Sequence, residues 1–136
     1  MITEDFVSYD AAKLLRDAGF NEYCYYFRGP GGLGSEKLFH SNHAVRNFEK
    51  GMTIGGAVAC PTIQMALKWL RINHSIFIHP SCYNKNGKDW YDYFIIPING
   101  KPIRSNCLSF CDRKFESPER ALDAAIIYVL SNLIFK

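Results

Sequence analysis

Residues 60–79 read CPTIQMALKWLRINHSIFIH, and this stretch decides the predicted fold. From Ile63 onward apolar side chains recur three and four positions apart, which is the spacing of one face of an α-helix. Pro61 suits the first turn of that helix, because its fixed φ is helical and its missing N–H costs nothing there. Residues 75–79 are β-branched and aromatic, as is typical of a strand. The sequence therefore predicts a helix over residues 61–73 that runs almost directly into a strand.

Two further segments have helical patterns with clear end signals. Ser8 is a good N-cap for a helix over residues 9–18, and Gly19, which adopts the left-handed conformation freely, ends it. Ser117 caps a last helix over residues 118–134, which is apolar around most of its circumference. A helix of this kind packs on two sides, and a second subunit is one candidate for the second side.

Aromatic and β-branched runs predict the strands. Residues 22–28 and 35–39 predict a hairpin around a glycine-rich loop, which lacks the Gly-Lys-Ser/Thr of a phosphate-binding loop. Asn-Gly pairs at residues 86–87 and 99–100 mark the turns of an antiparallel meander. The strands of this meander are expected over residues 75–79, 90–98 and 103–110.

Residues 40–60 show no clear pattern. One interpretation is a turn at residues 40–43 followed by a short helix over residues 44–48. Residues 52–59 fit either a strand or a loop, and the sequence leaves the choice open.

Together these segments predict an α+β fold in one domain over residues 1–136. The expected architecture is an antiparallel sheet, made of the meander at residues 75–110 and the N-terminal hairpin, with three helices packed mainly on one face. A chain of 136 residues can bury such a core without disulfides or metals. Because 15% of its residues are aromatic, we expect an aromatic-rich core or interface.

Charge and targeting signals bear on location and partners. The first residues do not form the basic and apolar regions of a signal peptide, and no window reaches the length of a membrane span. We therefore expect a cytoplasmic protein with no membrane partner. The five cysteines suggest no disulfide framework and are expected to be reduced thiols. The net charge is −1 over residues 1–60 and +4 over residues 61–136, which is small for a dedicated polyanion binder.

The best metal candidates are His79 and Cys82 with Cys107 and Cys111, because tetrahedral zinc accepts cysteine together with histidine. Cys107 and Cys111 fall on one face of the predicted third strand. Four residues of strand separate them by about 13 Å, however, which is too far to share one ion unless the strand stops first. The sequence therefore predicts no metal and no cofactor.

Catalytic patterns are also missing from the sequence. His74 and Cys60 lie at opposite ends of the central helix, about 20 Å apart, and cannot form a nucleophile–base pair. No Gly-x-Ser-x-Gly motif and no close pair of carboxylates is present. We therefore predict no catalytic residues.

Nucleic-acid binding is the alternative hypothesis that the sequence raises. Residues 61–136 follow the helix-strand-strand-strand-helix order of the double-stranded-RNA-binding domain, but the lysine cluster which that domain needs at its last helix is missing. The aromatic second hairpin can instead stack single-stranded bases beside basic side chains. The candidate residues are Lys85, Lys88, Trp90, Tyr91, Tyr93, Lys101 and Arg104. The competing interpretation is that these rings are half core and half exposed hairpin.

The three helical segments also carry a resemblance. They read FVSYDAAKLL at residues 6–15 with Gly19 and Phe20, PTIQMALKWLR at residues 61–71, and Ser117, Ala121, Ala125 and Tyr128 with NLI at residues 132–134. In these segments the chain resembles a group of short uncharacterised bacterial proteins that often occur in prophage or mobile-element settings. The resemblance supports the helices and implies no activity, cofactor or catalytic residue.

The sequence as a whole favours a small non-enzymatic interaction or accessory protein. The aromatic excess and the nearly all-round apolar last helix suggest a homodimer, formed through an aromatic surface or through that helix. A nucleic-acid-binding module that uses residues 85–104 is the alternative, and an enzyme or a zinc protein is the third interpretation.

Overall fold

The computed structural model describes residues 5–29, 37–48, 57–97, 103–104 and 115–134. Its elements are α1 (Tyr9–Asp17), β1 (Cys24–Arg28), β2 (Leu38–Val45), β3 (Val58–Ala59), α2 (Ile63–His74), β4 (Ile76–Lys85), β5 (Lys88–Pro97), β6 (Ile103–Arg104) and α3 (Pro118–Tyr128). A π-helical segment, Val129–Ile134, continues α3. The strands form two antiparallel sheets, in the orders β2-β1-β3 and β4-β5-β6. The predicted α+β class is confirmed, and the strands divide between a first and a second sheet.

Helix α1 has the predicted ends. The Ser8 hydroxyl accepts a hydrogen bond from the Ala11 N–H at 3.2 Å. Gly19 has a φ of +100°, and the N–H of Phe20 bonds back to the Leu15 carbonyl at 2.9 Å. This closure satisfies a carbonyl that the helix end would leave without a partner.

Helix α2 begins two residues later than the sequence suggested. Its N-cap is Thr62, whose hydroxyl accepts from the Met65 N–H at 3.1 Å. Pro61 therefore precedes the cap and does not lie in the first turn, because the Thr62 side chain supplies the acceptor that starts the helix. At the other end Ser75 adopts the left-handed conformation, with φ +55°, and turns the chain directly into β4.

The second hairpin follows the Asn-Gly prediction. Asn86 and Gly87 have φ values of +56° and +80° and form the whole turn, so β4 and β5 extend to Lys85 and Lys88. Next to the turn, both strands are thus longer than the expected residues 75–79 and 90–98. Strand β6 is described only over Ile103–Arg104, and residues 105–110 of the predicted third strand lie outside the described residues.

The region without a sequence pattern contains two strands. Residues 40–45 belong to β2, so a turn followed by a short helix from residue 44 is wrong there. Asn47 is buried, and its amide donates to the Phe20 carbonyl at 2.8 Å while its oxygen accepts from the Ala59 N–H at 2.8 Å. One buried side chain therefore joins the end of α1 to β3.

Helix α3 lies at the centre of the core. It contacts α1, α2, β4 and β5, and the side chains of Ala121, Leu122, Ala125 and Ile126 are buried. The inward face of β5 meets it with Tyr93 and Ile95. The apolar surface of this helix is thus covered on several sides within one chain.

Candidate functional site

The rings of the predicted nucleic-acid site divide between the two faces of the second hairpin. Tyr93 is only 3% exposed and packs against Phe115, with ring centroids 6.2 Å apart. Tyr91 lies on the same inward face, because side chains alternate along a strand. Trp90 lies on the outer face, with Nζ of Lys88 4.3 Å from its ring centroid. Bases cannot reach a buried ring, so these rings do not form one stacking surface.

The predicted basic residues are spread along the second sheet. Nζ of Lys88 lies 3.7 Å from a carboxylate oxygen of Glu116. Lys85 is opposite Lys88 at the turn, Arg104 lies in β6, and Lys101 is outside the described residues. Among the described cation side chains, Lys88 thus lies beside one ring of this group, Trp90, and also faces Glu116.

The metal candidates are not brought together by the described strands. His79 and Cys82 are three residues apart in β4, so their side chains leave opposite faces of the sheet. Cys107 and Cys111 lie outside the described residues. Across the described ranges, no group of three or more histidine, cysteine, aspartate or glutamate side chains has the geometry of a metal site.

Two cysteines are buried in the core. Burial raises the pKa of the Cys24 thiol to about 12 and that of the Cys60 thiol to about 11. The Arg28 guanidinium beside Cys60 acts in the opposite direction but does not outweigh burial. Because the thiolate is the reactive form, neither side chain is suited to nucleophilic catalysis at neutral pH.

A cleft of about 740 Å³ lies between the segment that precedes α1 and the start of α3. Arg28 and Asp123 both line it, and their side chains form hydrogen bonds with the backbone. Nε of Arg28 donates to the Val7 carbonyl at 2.8 Å, and Oδ1 of Asp123 accepts from the Ser8 N–H at 2.8 Å. Burial raises the pKa of Asp123, against the hydrogen bonds from Ser8 and the charge of Arg28. These contacts join α1, β1 and α3, so a structural role accounts for Arg28 and Asp123.

The first sheet carries an exposed aromatic surface. Tyr23 and Tyr25 are 52% and 59% exposed and flank the buried Cys24, so both point away from the core. Phe27 continues this row and stacks on Phe39 of β2, with ring centroids 5.3 Å apart and planes 17° apart. We call Tyr23, Tyr25, Phe27 and Phe39 the aromatic face.

A cation lies over a ring at each end of the aromatic face. Cζ of Arg46 is 4.8 Å from the Tyr23 ring centroid, and Nζ of Lys37 is 5.5 Å from that of Phe39. Such contacts hold rings in fixed positions while leaving much of their surface open. The tyrosine-dense run at residues 23–27 was visible in the sequence. The tyrosine rings point outward because side chains alternate along the strand and Cys24, between them, is buried. The sequence did not show that Cys24 is buried.

A groove of about 390 Å³ lies between α2 and β4. One stripe of α2, from Gln64 to Arg71, forms one wall, and the consecutive residues Phe77, Ile78 and His79 form the other. We call this the α2–β4 groove. The sequence pattern predicted its two elements but not the cleft between them.

Comparison of this chain with protein-family models, with curated proteins and with solved structures finds no match. The likeness of its helices to short bacterial proteins therefore stays a prediction. Among the described residues, no helix is long and apolar enough to cross a membrane.

Proposed function

We propose that this chain is a small non-enzymatic interaction protein that associates with a second copy of itself through the aromatic face. The observation that carries the proposal is the exposure of Tyr23 and Tyr25 side by side on the outer surface of the first sheet. Tyrosine, together with arginine, is enriched at the centres of protein interfaces, because it contributes a large rigid area at low entropic cost.

The aromatic face is a better candidate for the interface than the C-terminal helix. The sequence suggested that helix because it is apolar all round. In the structure the apolar surface of α3 packs against α1, α2, β4 and β5 of the same chain. Tyr23 and Tyr25 have no such cover among the described residues, since more than half of each remains exposed.

A non-enzymatic role agrees with the structural roles of the buried cysteine and aspartate side chains. Cys24 and Cys60 are buried thiols with raised pKa values, and Asp123 is held by a backbone N–H. These side chains contribute to packing and to the joining of elements. The proposal therefore assigns them no chemistry.

Sedimentation velocity over a series of protein concentrations tests self-association. We expect a monomer–dimer equilibrium whose dissociation constant rises about tenfold in Tyr25→Ser, as for a well-placed interface tyrosine. Ile72→Ser is the matched control, because Ile72 is 64% exposed but lies on α2. A monomer at every concentration, or equal effects of the two substitutions, would contradict the proposal.

Nucleic-acid binding is a second candidate for the same surface. The specific observation in its favour is the pairing of rings with cations, Tyr23 with Arg46 and Phe39 with Lys37. Rings on an open sheet beside basic side chains can stack single-stranded bases. Titration of a fluorescent oligodeoxythymidine, repeated at rising salt, separates the two candidates. Binding that weakens with salt and is lost in Tyr25→Ser supports this second function.

A further inference from the structure

The α2–β4 groove follows the open edge of the second sheet. Among the strands that the structure describes, β4 is an edge strand, in the order β4-β5-β6. Phe77, Ile78 and His79 all line the groove although side chains of consecutive residues leave opposite faces. Three consecutive residues can line one groove only if it runs beside their backbone. Helix α2 borders the same groove, because its residues from Gln64 to Arg71 form the opposite wall.

The hydrogen-bond pattern shows which backbone groups face this edge. Tyr91 exchanges two backbone hydrogen bonds with Phe115, of 2.9 and 3.1 Å, on the side of β5 away from β4. Its pair with Cys82 in β4 is therefore not hydrogen-bonded. Hydrogen-bonded and non-bonded pairs alternate in an antiparallel ladder. By this count Pro80 and, further back, Ile78 and Ile76 also turn their backbone away from β5.

Pro80 agrees with this assignment. A proline has no N–H to give to a neighbouring strand, and within sheets it is confined to edge strands with its nitrogen turned outward. The open edge beside α2 therefore offers the N–H and C=O groups of Ile76 and Ile78. Their side chains are buried and fix the strand in place. This alternation of donors and acceptors is what an added β-strand requires.

The groove has a basic and partly apolar lining. Lys68 and Arg71 lie on the α2 wall and His79 lies on the β4 wall, and the described lining includes no carboxylate. Leu67 and Phe77 supply apolar contact between them. We propose that an extended peptide segment with acidic side chains, from a partner protein, adds as a strand to the open edge of β4 in this groove. The backbone groups at Ile76 and Ile78 would provide affinity, and the cations would select acidic residues.

A peptide matches the groove better than a phosphate chain does. A phosphodiester backbone only accepts hydrogen bonds, whereas the edge offers carbonyl acceptors as well as N–H donors. A second copy of β4 is also a poorer fit, because β4 contains no carboxylate that Lys68 and Arg71 could bind. The proposed surface is separate from the aromatic face, so each proposal can fail without the other.

Amide hydrogen exchange, measured by NMR, tests strand addition directly. The probe is a short capped peptide of alternating glutamate and valine, and the matched control is the same peptide with lysine in place of glutamate. At saturation we expect the glutamate peptide to slow exchange of the Ile76 and Ile78 amides at least tenfold. The lysine peptide should leave both amides unchanged.

Charge-reversal variants test the selection of acidic residues. Arg71→Glu and Lys68→Glu should each weaken binding of the glutamate peptide about tenfold. Arg120→Glu, which reverses an exposed cation on α3, should leave it unchanged. The proposal is overturned if the glutamate peptide does not bind, if both peptides bind equally, or if binding leaves the Ile76 and Ile78 amides unprotected. Protection that rises with protein concentration without peptide would point to a second copy instead and would also overturn it.

Discussion

The two sheets of this protein differ in which of their tyrosine side chains they bury. The second sheet turns Tyr93 inward against Phe115, under the cover of α3. The first sheet leaves Tyr23 and Tyr25 exposed. Both sheets are built from strands of similar composition, so ring content alone does not separate a core from a binding surface. What separates them is which face of each sheet the helices cover.

The largest expected contrast is between a core position in the second sheet and a ring on the first. Ile95 is fully buried, so Ile95→Ala removes apolar contacts and leaves a cavity, at a cost of about 3 kcal/mol in the free energy of unfolding. Tyr25→Ala should cost less than about 0.5 kcal/mol, because its ring is exposed. Urea denaturation of both variants at a low protein concentration measures the difference. Equal losses would mean that Tyr25 belongs to the folded core and is not an interaction residue.

Asn47 gives a second contrast, within the first sheet. Asn47→Ala leaves the Phe20 carbonyl and the Ala59 N–H buried without their bonds, and we expect a loss of about 2 kcal/mol. Asn42 lies in β2, the strand that precedes Asn47, and is exposed. Asn42→Ala should therefore change stability little. Hydrogen exchange should show the loosening at β3 more strongly than in β4 and β5. Uniform loosening of both sheets would show instead that the two sheets unfold as one unit.

The pH dependence of Asp123 tests how α3 is joined to α1. Burial raises the pKa of this carboxyl above its ordinary value of 3.8, so the protonated form is more favoured in the folded protein than in the unfolded chain. The stabilisation from the neutral carboxyl is complete below the ordinary pKa and is lost as pH rises through the raised one. Asp123→Asn keeps an acceptor for the Ser8 N–H without the charge. Its stability relative to the unmodified protein should therefore increase between pH 3 and pH 7.

Urea denaturation at several pH values between these limits provides the measurement. Asn42→Ala is the control, since Asn42 is exposed and the substitution removes no titratable group, so its effect should be nearly independent of pH. If Asp123→Asn instead loses relative stability as pH rises, the attraction of Arg28 for the charged carboxylate exceeds the cost of burial. The cleft would then hold a true ion pair.

The sequence predicted the parts of the fold that depend on local chemistry. Ser8 and Ser117 cap helices because a hydroxyl can accept an orphan N–H, and Asn86-Gly87 turns because both residues tolerate positive φ. The structural role of Asn47 could not be predicted, because its two hydrogen-bond partners, Phe20 and Ala59, are distant from it in sequence. The aromatic face and the α2–β4 groove could not be predicted either, because they also depend on contacts between segments that are distant in sequence. An exposed ring or an open strand edge is defined by what other elements leave uncovered.

The smallest expected effect concerns the turn that sets α2 beside the edge of β4. Ser75 has φ +55° and ψ +38°, a left-handed conformation that costs a residue with a β-carbon about 1 kcal/mol. Ser75→Gly removes this strain but adds freedom to the unfolded chain, so the net gain should be below about 1 kcal/mol. Ser131→Gly is the control and should destabilise, because Ser131 lies in the helical C-terminal segment. Thermal denaturation measures whether each substitution raises or lowers the stability. A loss in Ser75→Gly would mean that the serine hydroxyl contributes to the turn, and that the position of α2 along the groove depends on that side chain.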